Sequence, residues 1–335
     1  DATIPTVLRR CRATRSRAVR HLFILDPLDR LHPDTDSSIA FMREAWRRGH
    51  DVSTCGIGDL GLRGDTPFAR TARTAAGEGG RWCETAPARQ EHLDAFDAVW
   101  MRKDPPFDSA YLFATLLLSR AERPVMVNDP RTLRDENEKL FALEFADLCP
   151  TTLVSRSIEQ LLRFRAELGG EMIVKPLDGA GGDGIFHITR DDRNTRSILE
   201  TGTAHGTRLL MAQEYVPAVR RGDKRILLVD GDPRGALLRV PAEYEARANL
   251  HVGGRAELAT LTARDRLICS RLGPVLRERG VILAGIDVLG DYLTEINITS
   301  PTGFREIERL GGGAIERDLL DAVEAHCRAR GIGEA

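Results

Sequence analysis

The run Gly285-Ile-Asp-Val-Leu-Gly-Asp-Tyr-Leu-Thr-Glu-Ile-Asn297 constrains this chain more than any other stretch. It reads as two apolar strands joined at Gly290-Asp291, with Asp287, Glu295 and Asn297 where a buried hairpin wants apolar side chains. Burying carboxylates without partners costs several kcal/mol each. A cation therefore belongs between them, unless the hairpin is an edge with its acids in water. Glu295 and Asn297 are two apart on a strand and share a face. A two-residue turn pairs Asp287 with Thr294 and sends Glu295 to the other face. A three-residue connection, relieved by Gly290, sets Asp287 beside Glu295 and gathers three oxygen donors. Hard oxygen ligands of this kind suit magnesium, which shares its remaining positions with water and nucleotide phosphates.

At 335 residues, 42% hydrophobic and 29% charged, the chain has room for two domains and a large core. A net charge of -2 gives no electrostatic reason to expect nucleic acid. No run of 18 apolar residues marks a membrane span, and an aqueous, cytoplasmic setting is expected. Cys11, Cys55, Cys83, Cys149, Cys269 and Cys327 are scattered without zinc-type spacing, as reduced thiols would be. Residues 1–20 are rich in arginine and lack apolar periodicity; they read as a disordered leader outside the fold.

Strand and helix signals alternate from His21-Leu-Phe-Ile-Leu25 to Pro124–Asn128. Ser37 or Ser38 caps a helix with apolar Ile39, Met42, Ala45 and Trp46, a strand runs through 97–101, and a helix spans 109–120. Residues 58–91, rich in Gly, Arg, Ala and Thr, read as an excursion with little regular structure. The pattern predicts a parallel α/β domain over 21–125. Helices around 131–147 lead into a second domain, 126–330. There, strands 151–154, 172–174, 185–188, 208–216, 223–230 and 235–240 have the character of antiparallel sheets, with helices at 158–168, 263–279 and 314–328. This half is α+β.

Lys175-Pro-Leu-Asp-Gly-Ala-Gly-Gly-Asp-Gly184 crowds glycines between two strands. Glycines let backbone N–H groups approach an anion closely and adopt positive φ. The lysine precedes the glycines and no helix follows, so neither the P-loop nor the dinucleotide fingerprint applies. The loop is a hairpin tip that can fold over a nucleotide, or a simple flexible turn. Lys175 ends an otherwise apolar strand, which favours the first reading. Lys139 by itself reads as a solvated lysine on an amphipathic helix. Arg225 and Arg239 each interrupt an aliphatic strand, implying a fixed anion: a phosphate or a structural carboxylate. Gln213-Glu-Tyr-Val-Pro217 ends a strand at a proline, leaving main-chain groups near Tyr215 and Val216 free to read an adenine edge. Asp223 accepts a ribose hydroxyl or belongs to the turn at Gly222.

Six collinear strings resemble the prokaryotic glutathione synthetase family of the ATP-grasp superfamily. They are Met101-Arg-Lys-Asp-Pro-Pro-Phe-Asp108, Leu133-Arg-Asp-Glu-Asn-Glu-Lys-Leu-Phe141, Lys175-Pro-Leu-Asp-Gly-Ala-Gly-Gly182, Met211-Ala-Gln-Glu-Tyr-Val-Pro217, Gly222-Asp-Lys-Arg225 and Gly290-Asp-Tyr-Leu-Thr-Glu-Ile-Asn-Ile-Thr-Ser-Pro301. The resemblance covers roughly residues 21–325 and implies an ATP-grasp fold after the N-terminal α/β domain. It implies ATP-dependent joining of γ-glutamylcysteine to glycine through an acyl phosphate, releasing ADP and phosphate. A RimK-like ligase adding another amino acid to a carboxylate is the alternative, and a turnover-deficient nucleotide-binding module a more distant one.

By position, the resemblance gives Lys139, Lys175, Asp178, Gly179, Gly181 and Gly182 to the nucleotide phosphates. Gln213, Glu214, Tyr215, Val216 and Asp223 go to the nucleoside. Asp287, Glu295 and Asn297 would hold Mg2+, for which Mn2+ can substitute. Arg225 and Arg239 are the expected catalytic residues, Arg225 stabilising the acyl phosphate. Ser37, Arg102, Asp104, Gly253, Gly254, Ser300 and Thr302 would contact the peptide and amine substrates, the two glycines from a mobile lid. A homotetramer is implied as well. The loop departs from the family in reading Ala-Gly-Gly, and Gly303-Phe304 is an unusual pair there. These differences touch the acceptor more than the phosphoryl chemistry.

Overall fold

Three sheets carry the chain. The computed structural model describes residues 18–77, 81–179, 181–241 and 255–332. The first sheet takes β1 (Arg20–Ile24), β2 (Asp51–Cys55), β3 (Leu60–Arg63), β4 (Thr66–Ala76), β5 (Cys83–Thr85), β6 (Arg89–His92), β7 (Ala98–Met101) and β8 (Val125–Val127). β2, β1, β7 and β8 are parallel neighbours, as the alternation of strands and helices requires. Helices α1 (Ser37–Arg47), α2 (Ser109–Leu118) and α3 (Pro130–Asp135) make or follow the crossovers.

The excursion expected over 58–91 is instead regular. β4 pairs antiparallel with β2, β3, β5 and β6 and extends the sheet. Its inward positions are Pro67, Ala69, Thr71 and Thr74, small or polar side chains that give little hydrophobic signal at period two. The N-cap of α1 is likewise not a serine. Asp36 accepts from the Ser38 and Ile39 amides at 2.7 and 3.1 Å, which leaves Ser37 and Ser38 free of that task.

The second sheet, β9 (Thr152–Ser155), β10 (Met172–Pro176), β11 (Phe186–Ile188) and β12 (Leu210–Glu214), is antiparallel in the order β11-β10-β12-β9. Helices α4 (Ile158–Glu167) and α5 (Thr195–Gly202) cover one face. Their core is its own: Leu161, Phe164, Met172, Val174, Ile188, Leu199, Leu210 and Ala212.

The third sheet holds β13 (Asp223–Val229), β14 (Asp232–Val240), β15 (Arg255–Leu258), β16 (Leu283–Leu289) and β17 (Tyr292–Asn297), all antiparallel. α6 (Ala263–Glu278), α7 (Phe304–Arg309) and α8 (Ile315–Ala329) pack around it. Alternate residues feed two cores shared with the first sheet. Ile226, Leu228, Ala284 and Ile286 join Leu22, Ile24, Val99 and Met101. Leu227, Val229, Leu237 and Leu283 join Phe23, Leu25 and Trp100. Asn128 locks the two sheets together, donating to the Leu283 and Ile298 carbonyls and accepting from the Ile282 and Leu283 amides at 2.6–2.9 Å. First and third sheets thus form one body, and the second sheet stands over it as a lobe.

Candidate active site between the second and third sheets

The acidic hairpin combines features of both expected connections. Leu289 pairs with Tyr292, so the turn is the two-residue Gly290-Asp291, with Gly290 at φ +62°. A bulge then takes up one residue, and Asp287 lies opposite Glu295, with Gly285 opposite Asn297. The Thr294 hydroxyl donates to the Asp287 carbonyl at 3.0 Å inside the bulge. Turn length alone would have put Glu295 on the wrong face; the bulge restores it.

Asp287 is buried between two guanidinium groups. Arg225 donates from Nε and Nη2 at 2.5 and 3.0 Å, and Arg239 Nη2 lies 3.0 Å from Oδ2. Burial alone would raise this carboxyl, but the two arginines overcome it and hold the group well below the usual carboxylate range. Arg239 also clamps Asp223 through Nε at 2.8 Å. Both Asp223 oxygens accept from Arg239 inside the sheet. Burial raises the Asp223 carboxyl, with Arg239 opposing.

Lys139 is not the solvated helix lysine that its local sequence suggests. The helix predicted near 131–147 stops at Asp135, and a 3-10 segment follows over Phe141–Leu148. Lys139 sits in the turn between them, 3% exposed. Asn137 Oδ1 accepts the Lys139 and Leu140 amides, and its Nδ2 donates to the Leu177 carbonyl at 2.9 Å. The Ile296 amide donates to the Glu138 carbonyl at 2.9 Å, docking the turn on the free edge of β17. Lys139 Nζ reaches the Gly179 carbonyl at 2.7 Å, the Glu138 carboxylate, and Glu295 at 3.9 Å. Lys175 approaches the same Glu295 oxygen at 3.6 Å. Burial would lower the Lys139 ammonium, yet Glu295 and Glu138 raise it, so it stays charged. Glu138, which the motif reading passed over, is raised by burial and by Glu295.

Lys139, Lys175, Arg225 and Arg239 thus face Glu138, Asp223, Asp287 and Glu295, equal numbers of opposite sign. Above them, the β10–β11 hairpin carries the glycine loop. Gly181, Gly182 and Gly184 have φ of 66°, 91° and 73°, and a Cβ on Gly179 would lie 2.7 Å from Pro176. Asp178 is exposed, 3.9 Å from Arg208. Gln213 donates to the Thr152 hydroxyl at 2.8 Å, and the Glu214 carboxylate accepts from Thr151. Their side chains are spent within the lobe, leaving main chain around Tyr215 and Val216. A Cβ on Gly290 would meet Ala218 at 3.0 Å and Val216 at 3.9 Å, so this strand end touches the acidic hairpin's tip.

A second group lies toward the first sheet. Arg102 is buried, donating to the Ser38 hydroxyl at 3.1 Å and the Pro301 carbonyl at 3.2 Å, with Nη1 unpaired. The Ser37 and Tyr111 hydroxyls are also buried without partners. Thr302 is exposed and its carbonyl accepts from Arg225 at 3.4 Å; Ser300 is half-buried. The segment 300–303 therefore spans from Arg102 to Arg225. Asp104 is exposed, its amide donating to Asp26 at 3.1 Å. Gly253 and Gly254 fall outside the described residues.

Among the described residues, no three His, Cys, Asp or Glu side chains converge as metal ligands. Asp287, Glu295 and the Asn297 amide form a mixed oxygen set, which fits a hard divalent cation sharing ligands with phosphate and water.

Residues 19–134 match the family model for the prokaryotic glutathione synthetase N-terminal domain, and 138–312 that for its ATP-grasp domain. The chain belongs to the prokaryotic glutathione synthetase family. Glutathione synthetase of Agrobacterium fabrum is 47% identical over 292 residues, spanning 86% of this chain and 91% of the relative. That of Mesorhizobium japonicum is 48% identical over 291 residues, spanning 86% and 93%. Among solved structures, the D-cycloserine synthetase DcsG aligns with TM-score 0.62 at 15% identity, covering 92% of this chain and 99% of that one. The ATP-grasp ligase PsnB with a minimal precursor aligns at 0.61 and 19% identity, covering 91% and 98%. These two carry the fold alone. This glutathione synthetase family member thus shares its fold with chains of under 20% sequence identity. No described helix is long and apolar enough to cross a membrane.

Proposed function

We propose that this chain joins the cysteinyl carboxylate of γ-glutamylcysteine to the amine of glycine, using ATP. The observation that carries the reading is the charge-balanced cleft in which Lys139, Lys175, Arg225 and Arg239 converge on Asp287 and Glu295. A triphosphate tetra-anion enters a balanced cleft readily only with cations of its own, and the oxygen donors are in place for them. Mg2+ bound by Asp287, Glu295 and Asn297 would offset charge on the transferring phosphoryl group.

The chain's own groups divide the work. Lys139 and Lys175 hold the phosphates, and the 178–184 loop covers them. The donor carboxylate oxygen attacks the γ-phosphorus as the bond to the bridging oxygen breaks, releasing ADP. The glycine amine then attacks the acyl carbon, phosphate leaves with the carbon–oxygen bonding pair, and the amine loses a proton. Arg225, at the junction of the hairpin and the 300–303 segment, faces the acyl phosphate and its tetrahedral adduct. Unpaired Arg102, Ser37 and Tyr111 groups supply polar partners for the donor peptide. Exposed Phe113 and Leu116 on α2 offer an apolar face to a further copy, in line with a homotetramer that light scattering would report.

An ADP-release assay with γ-glutamylcysteine and a panel of amino acids tests the activity. Glycine should support turnover. Release driven by glutamate and not glycine would move the chain to the RimK-like class.

A further inference from the structure

His187 is not used by the mechanism above, yet it shares a sheet face with Lys175. On β10, Met172 and Val174 point into the lobe core, so Ile173 and Lys175 point the other way. Ile173 pairs directly with His187 on β11 and with Gln213 on β12, and directly paired residues share a face. His187 therefore stands on the face from which Lys175 reaches Glu295. Its ring stacks on Tyr215, centroids 4.0 Å apart and planes 11° from parallel. Its Nε2 is 2.8 Å from Glu171 Oε1, which fixes the ring from behind.

Tyr215 needs such support. β12 ends at Glu214 and a 3-10 turn begins at Pro217, so the tyrosine belongs to no ladder. We infer that His187 is a positioning residue for the nucleotide base, acting through Tyr215: the stack holds the 214–216 main chain where a purine edge is read. The inference rests on assigning that main chain to the base. Because the polar and ring partners of His187 are Glu171 and Tyr215 and not the phosphate lysines or the acidic hairpin, it should govern nucleotide affinity and base choice and leave the phosphoryl step alone.

Steady-state kinetics with ATP or GTP varied, on His187→Ala, His187→Phe and Tyr215→Ala, separates the cases. An aromatic pair of this kind corresponds to about three- to tenfold in affinity. His187→Ala should raise KM for ATP by about that factor, hold kcat within about twofold and narrow the preference for ATP over GTP. His187→Phe, which keeps a flat ring, should restore most of the loss. If Tyr215→Ala raises KM and His187→Ala does not, the positioning role fails while the base assignment stands. If neither variant moves KM, the base assignment itself fails. A fall in kcat of equal size in both His187 variants also overturns the proposal, since it would mark a merely structural residue.

Discussion

Replacing Arg225 with alanine separates the electrostatic role of the cleft from its structural one. Arg225 gives two hydrogen bonds to Asp287 and one to the Thr302 carbonyl. Asp287 is not orphaned by the change, because Arg239 remains 3.0 Å from Oδ2. Stripping a buried ion of all its partners costs about 3–5 kcal/mol; with one guanidinium retained the loss should sit near the lower end, about 3 kcal/mol. The protein should therefore stay folded at 25 °C with a lowered melting temperature. Removal of a cation also lets the Asp287 carboxyl rise from its depressed position. Catalysis should suffer more. A preorganised donor aimed at charge that develops during reaction is worth about 10²–10³ in turnover. Coupled ADP-release kinetics at saturating γ-glutamylcysteine and glycine should show kcat down by about that factor. KM for ATP should move by less than about threefold, since the charge that Arg225 is proposed to stabilise develops only during reaction. A kcat loss below about tenfold, or a matching rise in KM for ATP, would refute the reasoning.

Further outcomes follow from other parts of the fold. Asn128→Ala removes four buried hydrogen bonds between the first and third sheets and should destabilise by about 3–5 kcal/mol in denaturant titration; an unchanged midpoint would remove the clamp role. His21 is wholly buried, with Nδ1 accepting from Trp100 Nε1 at 3.0 Å; burial first, then His50, lowers its pKa from 6.5 to about 3. The unfolded chain then binds more protons between those values, so stability is present above pH 6.5 and falls as pH drops toward 3. Between pH 7 and 5 this one group accounts for about 2 kcal/mol, and His21→Phe should shallow the acid-side slope by that amount even if it lowers stability overall. A parallel slope in the variant would contradict the buried neutral state. Gly285→Ala would set a Cβ 2.9 Å from Pro301 and 3.1 Å from Arg225 Cδ, so it should depress turnover by disturbing the 300–303 segment; full activity would show that segment to be tolerant.

The parallel sheet was legible because its strands are continuous apolar runs separated by capped helices, and the lobe hairpin because glycines mark its tip. β4 escaped notice because Ala69, Thr71 and Thr74 fill inward positions with small side chains. α5, Thr195–Gly202, was missed for a related reason: Thr195 and Leu199 are its buried residues, too few to set a period. In the site, the acids at 287 and 295 declared themselves by interrupting apolar strands, but their meeting depends on a bulge that no residue type announces. Lys139 looked solvated because burial came from β17 and the glycine loop, both distant in sequence. His187 on β11 and Tyr215, one residue past the end of β12, are 28 positions apart, and only the sheet order brings the rings together.

The acyl-phosphate route can be read directly from isotope transfer. γ-Glutamylcysteine carrying oxygen-18 in its cysteinyl carboxylate, turned over with ATP and glycine, should deliver one labelled oxygen to each phosphate released. Unlabelled phosphate, with ADP and peptide formed in equal amounts, would contradict attack by that carboxylate.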